Sequence, residues 1–329
     1  MRNSKSGSIK KALLLLCSGV LLISGGTLLY KSVFLAGQAA LSVKQSAEPP
    51  LQPAGAFPTS SLNRFQFSDD GKDLFSLLVA RYQDTQQLPR SAILFPADPP
   101  SQSNALTSPT GLRQQYWAEA TSAIVSNAPK DALILSWWDD GQRVHFLSGL
   151  NAWLNKPAAA TFAGEVWQAL QPQLSLASSE EMPRLSKMAA WLTMDSDKAL
   201  AEIAANFGKS QPIYLLVSND LLLRQGELVA YGGSTLSFHA NNIPAGADLH
   251  GDIAQVKRWA AETGEGNYLV QKEGQYYRAW SPSDPATKNA LLVRLLPFID
   301  SLKQLPKGVE RVYQSGGGGY LSVYKLGEK

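Results

Sequence analysis

The chain has 329 residues, 44% hydrophobic and 17% charged, a composition that supports a sizeable core and excludes wholesale disorder. Of the formal net charge of +3, most belongs to the N-terminus, because residues 1–44 hold six basic and no acidic residues and the remainder has a net charge of −3. A basic face that binds nucleic acid is therefore not predicted. The single cysteine, Cys17, excludes a disulfide framework within the chain.

The first predicted element is a transmembrane helix over residues 12–30, which run uncharged for about the length of a bilayer core. A cleaved signal peptide and a lipoprotein modified at Cys17 are the alternatives. The apolar run is long for a signal, no A-x-A-like site ends it before Lys31, and leucines stand before Cys17 where small residues are usual.

The distribution of basic residues predicts the orientation of this helix. Basic residues are denser before the helix than after it, so residues 1–11 are expected to be a cytoplasmic tail. The chain is then a single-pass protein of the inner (cytoplasmic) membrane. Its domain, residues 62–329, is expected in the periplasm.

Residues 31–61 are predicted to be a Pro-rich tether, because four prolines among small residues at 43–61 disfavour both helix and sheet. Residues 71–83 place leucines at helical spacing, which predicts a helix, and a short apolar run predicts a strand over 90–98.

The next segments predict an α/β architecture. Residues 111–128 have one apolar face and end before a proline, which indicates a helix, and residues 131–138 are a continuous apolar run typical of a strand covered on both faces. This order predicts a mostly parallel sheet covered by helices.

The remaining elements indicate a C-terminal part that is more antiparallel. In chain order we expect helices within 163–174 and 179–194, a helix from Asp195 or Ser196 to Gly208, a buried strand within 211–224, a strand at "LSFHAN", a hairpin at "NYLVQKEGQYYRAW", a helix over 286–303 and a terminal hairpin from Gly308.

The stretch "SWWDDG" ends the predicted strand, at the edge where open α/β sheets bind ligands. In an extended segment Asp139 and Asp140 point to opposite faces, so a catalytic dyad is not expected. One interpretation is that Asp140 caps the following helix, Gly141 relieves the turn, and Trp137 and Trp138 fill the core. The other is a Trp-Trp-Asp shelf that binds a small polar group through an indole N–H and a carboxylate.

No motif for metal or nucleophilic chemistry accompanies this stretch. The three histidines are far apart, and the chain has no Cys-x-x-Cys-His or Gly-x-Ser-x-Gly. We therefore predict no cofactor and no metal. The candidate ligand-binding residues are Trp137, Trp138, Asp139, Asp140 and His145.

Three segments resemble the C-terminal domain of the oligosaccharyltransferase catalytic subunit, whose signature is Trp-Trp-Asp-Tyr-Gly. They are "SWWDDG", "TMDSDKALAEIAANFGKSQPIYLLVSND" and the closing hairpin. The resemblance implies that Trp137, Trp138 and Asp139 would grip an acceptor hydroxyl. Asp140 stands where tyrosine is usual, and the many-spanning portion that carries the metal and the lipid-linked sugar in that family has no counterpart in this sequence.

With its single anchor and the block "ALILSWWDDGQRVHFLSGLNAW", the chain is more similar to the hydroxylamine oxidation protein B family. That family is found beside the periplasmic multihaem hydroxylamine oxidoreductase of ammonia- and methane-oxidising bacteria. The resemblance implies an accessory role in hydroxylamine handling.

We therefore expect a binding or assembly module whose partners are the inner membrane and a periplasmic multihaem oxidoreductase. The alternative is an enzyme, either a glycosyltransferase-related domain or a small-molecule hydrolase that uses Asp139, Asp140 and His145.

Overall fold

The computed structural model describes residues 42–49, 55–69, 72–96, 109–162, 168–208, 210–246, 248–264, 266–273 and 276–327. The predicted cytoplasmic tail, the transmembrane helix over 12–30 and part of the tether lie outside these ranges. Within them, no helix combines the length and the apolar character that a membrane span requires.

Four strands form an antiparallel meander in the order β1-β2-β3-β4. They are β1 (Ser42–Glu48), β2 (Thr59–Asp69), β3 (Lys72–Gln83) and β4 (Pro89–Leu94). One face of the meander carries Phe67, Leu77 and Val79 into the main core, and the other packs Leu78 and Tyr82 into a second apolar cluster. Both faces of this sheet are therefore covered.

Two predictions fail in the meander. The predicted helix over 71–83 is wrong, because this segment is β3 and pairs with both β2 and β4. The tether prediction over 31–61 is wrong for residues 42–48, which pair with β2 along their whole length, and for residues 59–61, which begin β2. The predicted strand over 90–98 is confirmed as β4, with shorter bounds.

The second sheet has five strands in the order β11-β12-β7-β5-β6. They are β5 (Leu133–Leu135), β6 (Asn151–Ala152), β7 (Ile213–Ser218), β11 (Val309–Gln314) and β12 (Leu321–Leu326). Strand β5 is parallel to β6 and β7, whereas β12 is antiparallel to β7 and β11. The fold is mixed α/β. The prediction of a mostly parallel sheet is wrong, because among the described strands only β5 pairs in parallel, with β6 and β7. Strand β4, which precedes β5 in the chain, belongs to the antiparallel meander.

The third sheet is antiparallel, with order β8-β10-β9. It consists of β8 (Phe238–Pro244), β9 (Leu269–Glu273) and β10 (Tyr276–Pro282), so the predicted antiparallel hairpin in the C-terminal part is confirmed. The helix over 249–264 packs against this sheet through Val256.

The helices are α1 (Pro109–Asn127), α2 (Trp138–Ser148), α3 (Met182–Thr193), α4 (Ser196–Phe207), α5 (Asp220–Leu223), α6 (Gln225–Ala230), α7 (Leu249–Gly264), α8 (Pro285–Asn289), α9 (Leu291–Leu295), α10 (Ile299–Lys303) and α11 (Gly316–Gly319), with 3-10 turns at Ala159–Phe162 and Gln171–Gln173. Helix α4 begins and ends as predicted: the Asp195 carboxylate accepts from two backbone N–H groups, and Gly208 ends the helix with φ 73°. The single helix predicted over 286–303 is wrong, since this segment forms the three short helices α8, α9 and α10.

The fold places the Trp-Trp-Asp-Asp stretch at the centre of the molecule. Strand β5 ends at Leu135, and α2 begins three residues later at Trp138. Gly141 lies in the first turn of α2, where an added Cβ would be 1.9 Å from the carbonyl oxygen of Leu154. Only glycine allows α2 to lie this close to the backbone of Leu154.

Candidate functional site: a buried ion network at the start of helix α2

The two tryptophans are enclosed by the protein. Trp137 is 0% exposed and Trp138 is 2% exposed. The Trp138 Nε1–H donates to Glu227 Oε1 at 2.8 Å, and the Arg224 guanidinium lies 5.3 Å from the centre of a Trp138 ring. Trp137 packs against Tyr231 with 6.0 Å between ring centroids. Both rings fill the core in this structure, and their role in ligand binding stays a prediction.

The two aspartates lie in the first turn of α2, where the helix dipole favours negative charge. The prediction that Asp140 caps this helix is wrong, because Trp137 occupies the N-cap position and no side chain caps it. The prediction that the two aspartates diverge is also wrong. Arg143 donates through Nη2 to Asp139 Oδ2 at 2.9 Å and through Nη1 to Asp140 Oδ1 at 2.6 Å. Residues three and four positions apart on a helix are neighbours, so one guanidinium reaches both carboxylates.

A second guanidinium extends this network. Arg224 follows helix α5, and its Nη1 donates to Asp139 Oδ1 while its Nε donates to Glu227 Oε2 at 2.8 Å. Asp139 therefore bridges Arg143 and Arg224, and Glu227 joins Arg224 to the Trp138 indole. These bonds connect α2 to the segment after β7. Asp139 and Arg224 are 85 residues apart in the sequence.

A neighbouring buried pair completes the charged interior. Arg113 of α1 donates to Asp220 Oδ1 at 2.7 Å, and the Tyr320 hydroxyl donates to Asp220 Oδ2 at 2.8 Å. The centre of the Phe95 ring lies 5.4 Å from the guanidinium of Arg113 and 4.5 Å from that of Arg143. Such cation–π contacts replace part of the hydration that buried guanidiniums lose.

The carboxyls differ sharply in acidity. Burial alone would raise the pKa of Asp139, but the guanidiniums of Arg224 and Arg143 lower it to about 2. Burial, and then the negative charge of Asp139, raise the pKa of Asp140 to about 7. The Ser218 hydroxyl lies 3.1 Å from Asp140 Oδ2 and can bond to either form of the carboxyl.

A proton on Asp140, whose pKa is raised, would bring the charged interior to neutrality. The group contains the carboxyls of Asp139, Asp140, Asp220 and Glu227 and the guanidiniums of Arg113, Arg143 and Arg224. One proton on Asp140 leaves three negative and three positive charges. A balanced set avoids the cost of an isolated charge in the interior.

His145 belongs to a different environment. Its Nδ1 lies 2.7 Å from the carbonyl oxygen of Leu150, and its ring packs 5.2 Å from that of Phe57. Burial lowers the pKa of His145 and thus favours the neutral ring. Within the described ranges, no hydrogen bond joins His145 to Asp139 or Asp140, so the structure does not assemble the three into one acid–base group. The described residues also contain no cluster of three or more His, Cys, Asp or Glu side chains arranged to hold a metal.

The sequence interpretation missed the guanidiniums that organise this site. Arg143 could have been found, because it stands three and four residues after the aspartates, a spacing that brings side chains together once the segment is helical. Arg224 and Arg113 had no local pattern, since their partners come from distant parts of the chain.

The fold and the site together define a mixed α/β domain built around a buried network of carboxyls and guanidiniums. The chain belongs to the family described as "HaoA-associated protein HaoB", whose model matches residues 9–326. The resemblance to the hydroxylamine oxidation protein B family is thereby confirmed.

A search of curated proteins found no significant match. Among solved structures, the chain is similar to the C-terminal domain of PglB from C. jejuni, with 10% sequence identity and a TM-score of 0.36. That likeness covers 64% of this chain and 99% of the PglB domain.

Proposed function

We propose that this protein is a membrane-tethered accessory protein of the hydroxylamine oxidoreductase HaoA, and that it holds the enzyme at the periplasmic face of the inner membrane. The observation that carries the proposal is the match to the HaoA-associated family over residues 9–326. The match includes both the apolar segment 12–30 and the folded domain, so the two belong to one family layout.

Tethering supplies a physical advantage to such a helper. A binding module fixed to the membrane meets its partner at a raised effective concentration, and no additional contact is needed. The basic residues before the apolar segment favour a cytoplasmic N-terminus, which supports a periplasmic domain.

The ion network supports a binding role over catalysis at Asp139 and Asp140. Both carboxylates are engaged by Arg143, and a reaction that used them would first have to break a buried ion pair. Among the five candidate residues, the Trp137 Nε1 and the His145 Nε2 lie in different environments, and a ligand of the pocket proposed at 137–145 would bond to one or the other. Both atoms are buried, and neither has a protein partner among the described residues.

The proposal is tested by capture of HaoA on the full-length chain in detergent, with a topology measurement in cells. We expect tagged full-length chain to retain HaoA, and protease added to spheroplasts to digest the domain. Failure of the full-length chain to retain HaoA, or a domain protected from the protease, would contradict the proposal.

One variant separates the accessory role from the enzymatic alternative. Asp139→Asn keeps the shape of the side chain and removes its charge. An accessory protein whose variant stays folded should retain HaoA, whereas an enzyme that uses this carboxylate should lose turnover. Asp197→Asn on the exposed surface of α4 is the matched control.

A further inference from the structure

A cleft outside the ion network lies where three segments of the chain meet. Its volume is about 450 Å³, within the range of about 300–1,000 Å³ that small-molecule pockets occupy. One wall is the junction of α3 and α4 at 193–198, the second is the segment 234–236 that precedes β8, and the third is α8. None of the lining residues takes part in the network around Asp139.

Hydrogen bonds hold the three walls together. The Ser234 N–H donates to Thr193 Oγ1 at 2.8 Å, and the Ser237 N–H donates to Thr287 Oγ1 at 2.9 Å. The segment 234–237 is thereby bonded to α3 on one side and to α8 on the other. The cleft is therefore formed before a ligand enters it, which lowers the entropic cost of binding.

The lining combines an apolar surface with charged groups. The apolar surface consists of Leu236, which is 6% exposed, the half-buried Met194, and the exposed residues Pro285 and Ala286. A side chain that covers this surface removes apolar area from water, which favours binding.

The charged groups of the lining are Asp195 and Lys198, at the N-cap of α4 and three positions further on. Side chains at these two positions lie close together at the start of a helix. Asp195 Oδ1 accepts from two backbone N–H groups of the first turn. Its Oδ2 and the Lys198 Nζ form no hydrogen bond or ion pair with any residue that the structure describes, so both are open to a ligand.

These features together define the ligand. An ammonium group suits the Asp195 carboxylate, a carboxylate suits the Lys198 ammonium, and an apolar side chain suits the surface around Leu236. For scale, the cleft has the volume of a cube with edges of about 8 Å, and two extended residues span about 7 Å. An apolar amino acid or dipeptide has all three groups and fits this length.

We propose that this cleft binds an apolar zwitterion with a free ammonium group and a free carboxylate, either an amino acid or a dipeptide. Asp195 Oδ2 accepts from its ammonium group, and the Lys198 Nζ donates to its carboxylate. The site is independent of the proposed HaoA tethering, because its residues lie outside the apolar segment 12–30 and the ion network, and binding is measured without HaoA.

The test is equilibrium dialysis of the full-length chain in detergent against ¹⁴C-leucine and, separately, against ¹⁴C-labelled leucyl-leucine. We expect saturable binding of one molecule per chain. Tighter binding of leucine identifies free amino acids as the ligands, and tighter binding of leucyl-leucine identifies short peptides. The N-acetyl derivative of the bound probe lacks the ammonium group, and its amide lacks the carboxylate. Each should compete about fivefold less well than the probe, because each loses one charge-assisted hydrogen bond at a partly solvated position.

Two variants test the two contacts one at a time. Asp195→Asn keeps the helix cap, since asparagine caps helices as well as aspartate does. It should bind the probe about fivefold more weakly and lose most of the preference over the N-acetyl derivative. Lys198→Met should be weakened to a similar degree and lose the preference over the amide. Asp197→Asn and Lys257→Met, at exposed positions outside the cleft, are the matched controls and should bind as the unchanged chain does.

Three outcomes would overturn the proposal. One is the absence of saturable binding of both probes up to about 10 mM. Another is equal competition by the probe, its N-acetyl derivative and its amide, since the two charges would then not be recognised. The third is unchanged binding in a folded Asp195→Asn or Lys198→Met chain, with folding checked by the unfolding midpoint. If Asp195→Asn does not fold, Lys198→Met alone decides this third outcome.

Discussion

Removal of the Arg143 guanidinium is the most direct perturbation of the ion network. The side chain is 3% exposed and contacts Asp139 at 2.9 Å and Asp140 at 2.6 Å, so Arg143→Met leaves two buried carboxyls without this partner. Breaking a buried ion pair from one side costs about 3–5 kcal/mol. We expect a loss of about 3 kcal/mol in the free energy of unfolding, at the lower end of that range, because Arg224 still pairs with Asp139 and Asp140 can take up a proton.

The loss is measured by urea unfolding of the full-length chain in detergent, with the near-ultraviolet circular dichroism of the tryptophans as the signal. All variants are fitted with one common m-value, the slope of the unfolding free energy against urea concentration. The double variant Arg143→Met with Asp140→Asn should recover part of the lost stability, because its second change removes one of the buried charges that Arg143→Met leaves without this partner. Arg258→Met, on the exposed face of α7, should lie within about 0.5 kcal/mol of the unchanged chain. A loss below about 1 kcal/mol for Arg143→Met would refute the idea that this guanidinium holds α2 in place.

Three further predictions concern the same helix and a helix cap. Gly141→Ala should lower the free energy of unfolding by about 1–3 kcal/mol, because its methyl group would lie 1.9 Å from a backbone oxygen, whereas Gly316→Ala, whose added atom meets nothing within 4 Å, should not. The raised pKa of Asp140, about 7 when folded, means that the folded chain holds a proton that the unfolded chain releases near pH 4, so stability should fall as the pH rises through this window. Asp140→Asn should remove that contribution, and unfolding midpoints at about pH 5 and about pH 8 should therefore differ less in the variant than in the unchanged chain. Asp195→Ala should cost about 1 kcal/mol through loss of the α4 cap, which the midpoint of urea unfolding reports, and Asp197→Ala should cost less.

The helix predicted over 71–83 shows where pattern reading fails in this chain. A strand with one buried face alternates apolar and polar residues, but β3 is buried on both faces. Leu77 and Val79 enter the main core while Leu78 and Tyr82 enter the second cluster, which erases the period of two and leaves leucines at helical spacing. By contrast, β7 and the closing hairpin were predictable, because apolar runs bounded by turns have few alternatives.

The sequence predicts the position of the site correctly but not the interactions between its side chains. The sequence indicates that Trp137 and Asp139 lie just past a buried strand, and the structure agrees. From the sequence, however, the two aspartates are expected in an extended turn. In the structure they lie on a helix, and helical spacing is what allows one arginine to contact both. The contributions of Arg224 and Arg113 depend on tertiary packing, for which a single sequence carries no local pattern.

The pairing of β1 with β2 shortens the linker between the domain and the proposed membrane anchor. With the proposed anchor ending at residue 30 and β1 beginning at Ser42, only residues 31–41 remain to span the gap. Fully extended, such a segment reaches no more than about 40 Å. The meander sheet would then stay within roughly one domain diameter of the lipid headgroups, so a captured enzyme would work close to the membrane surface.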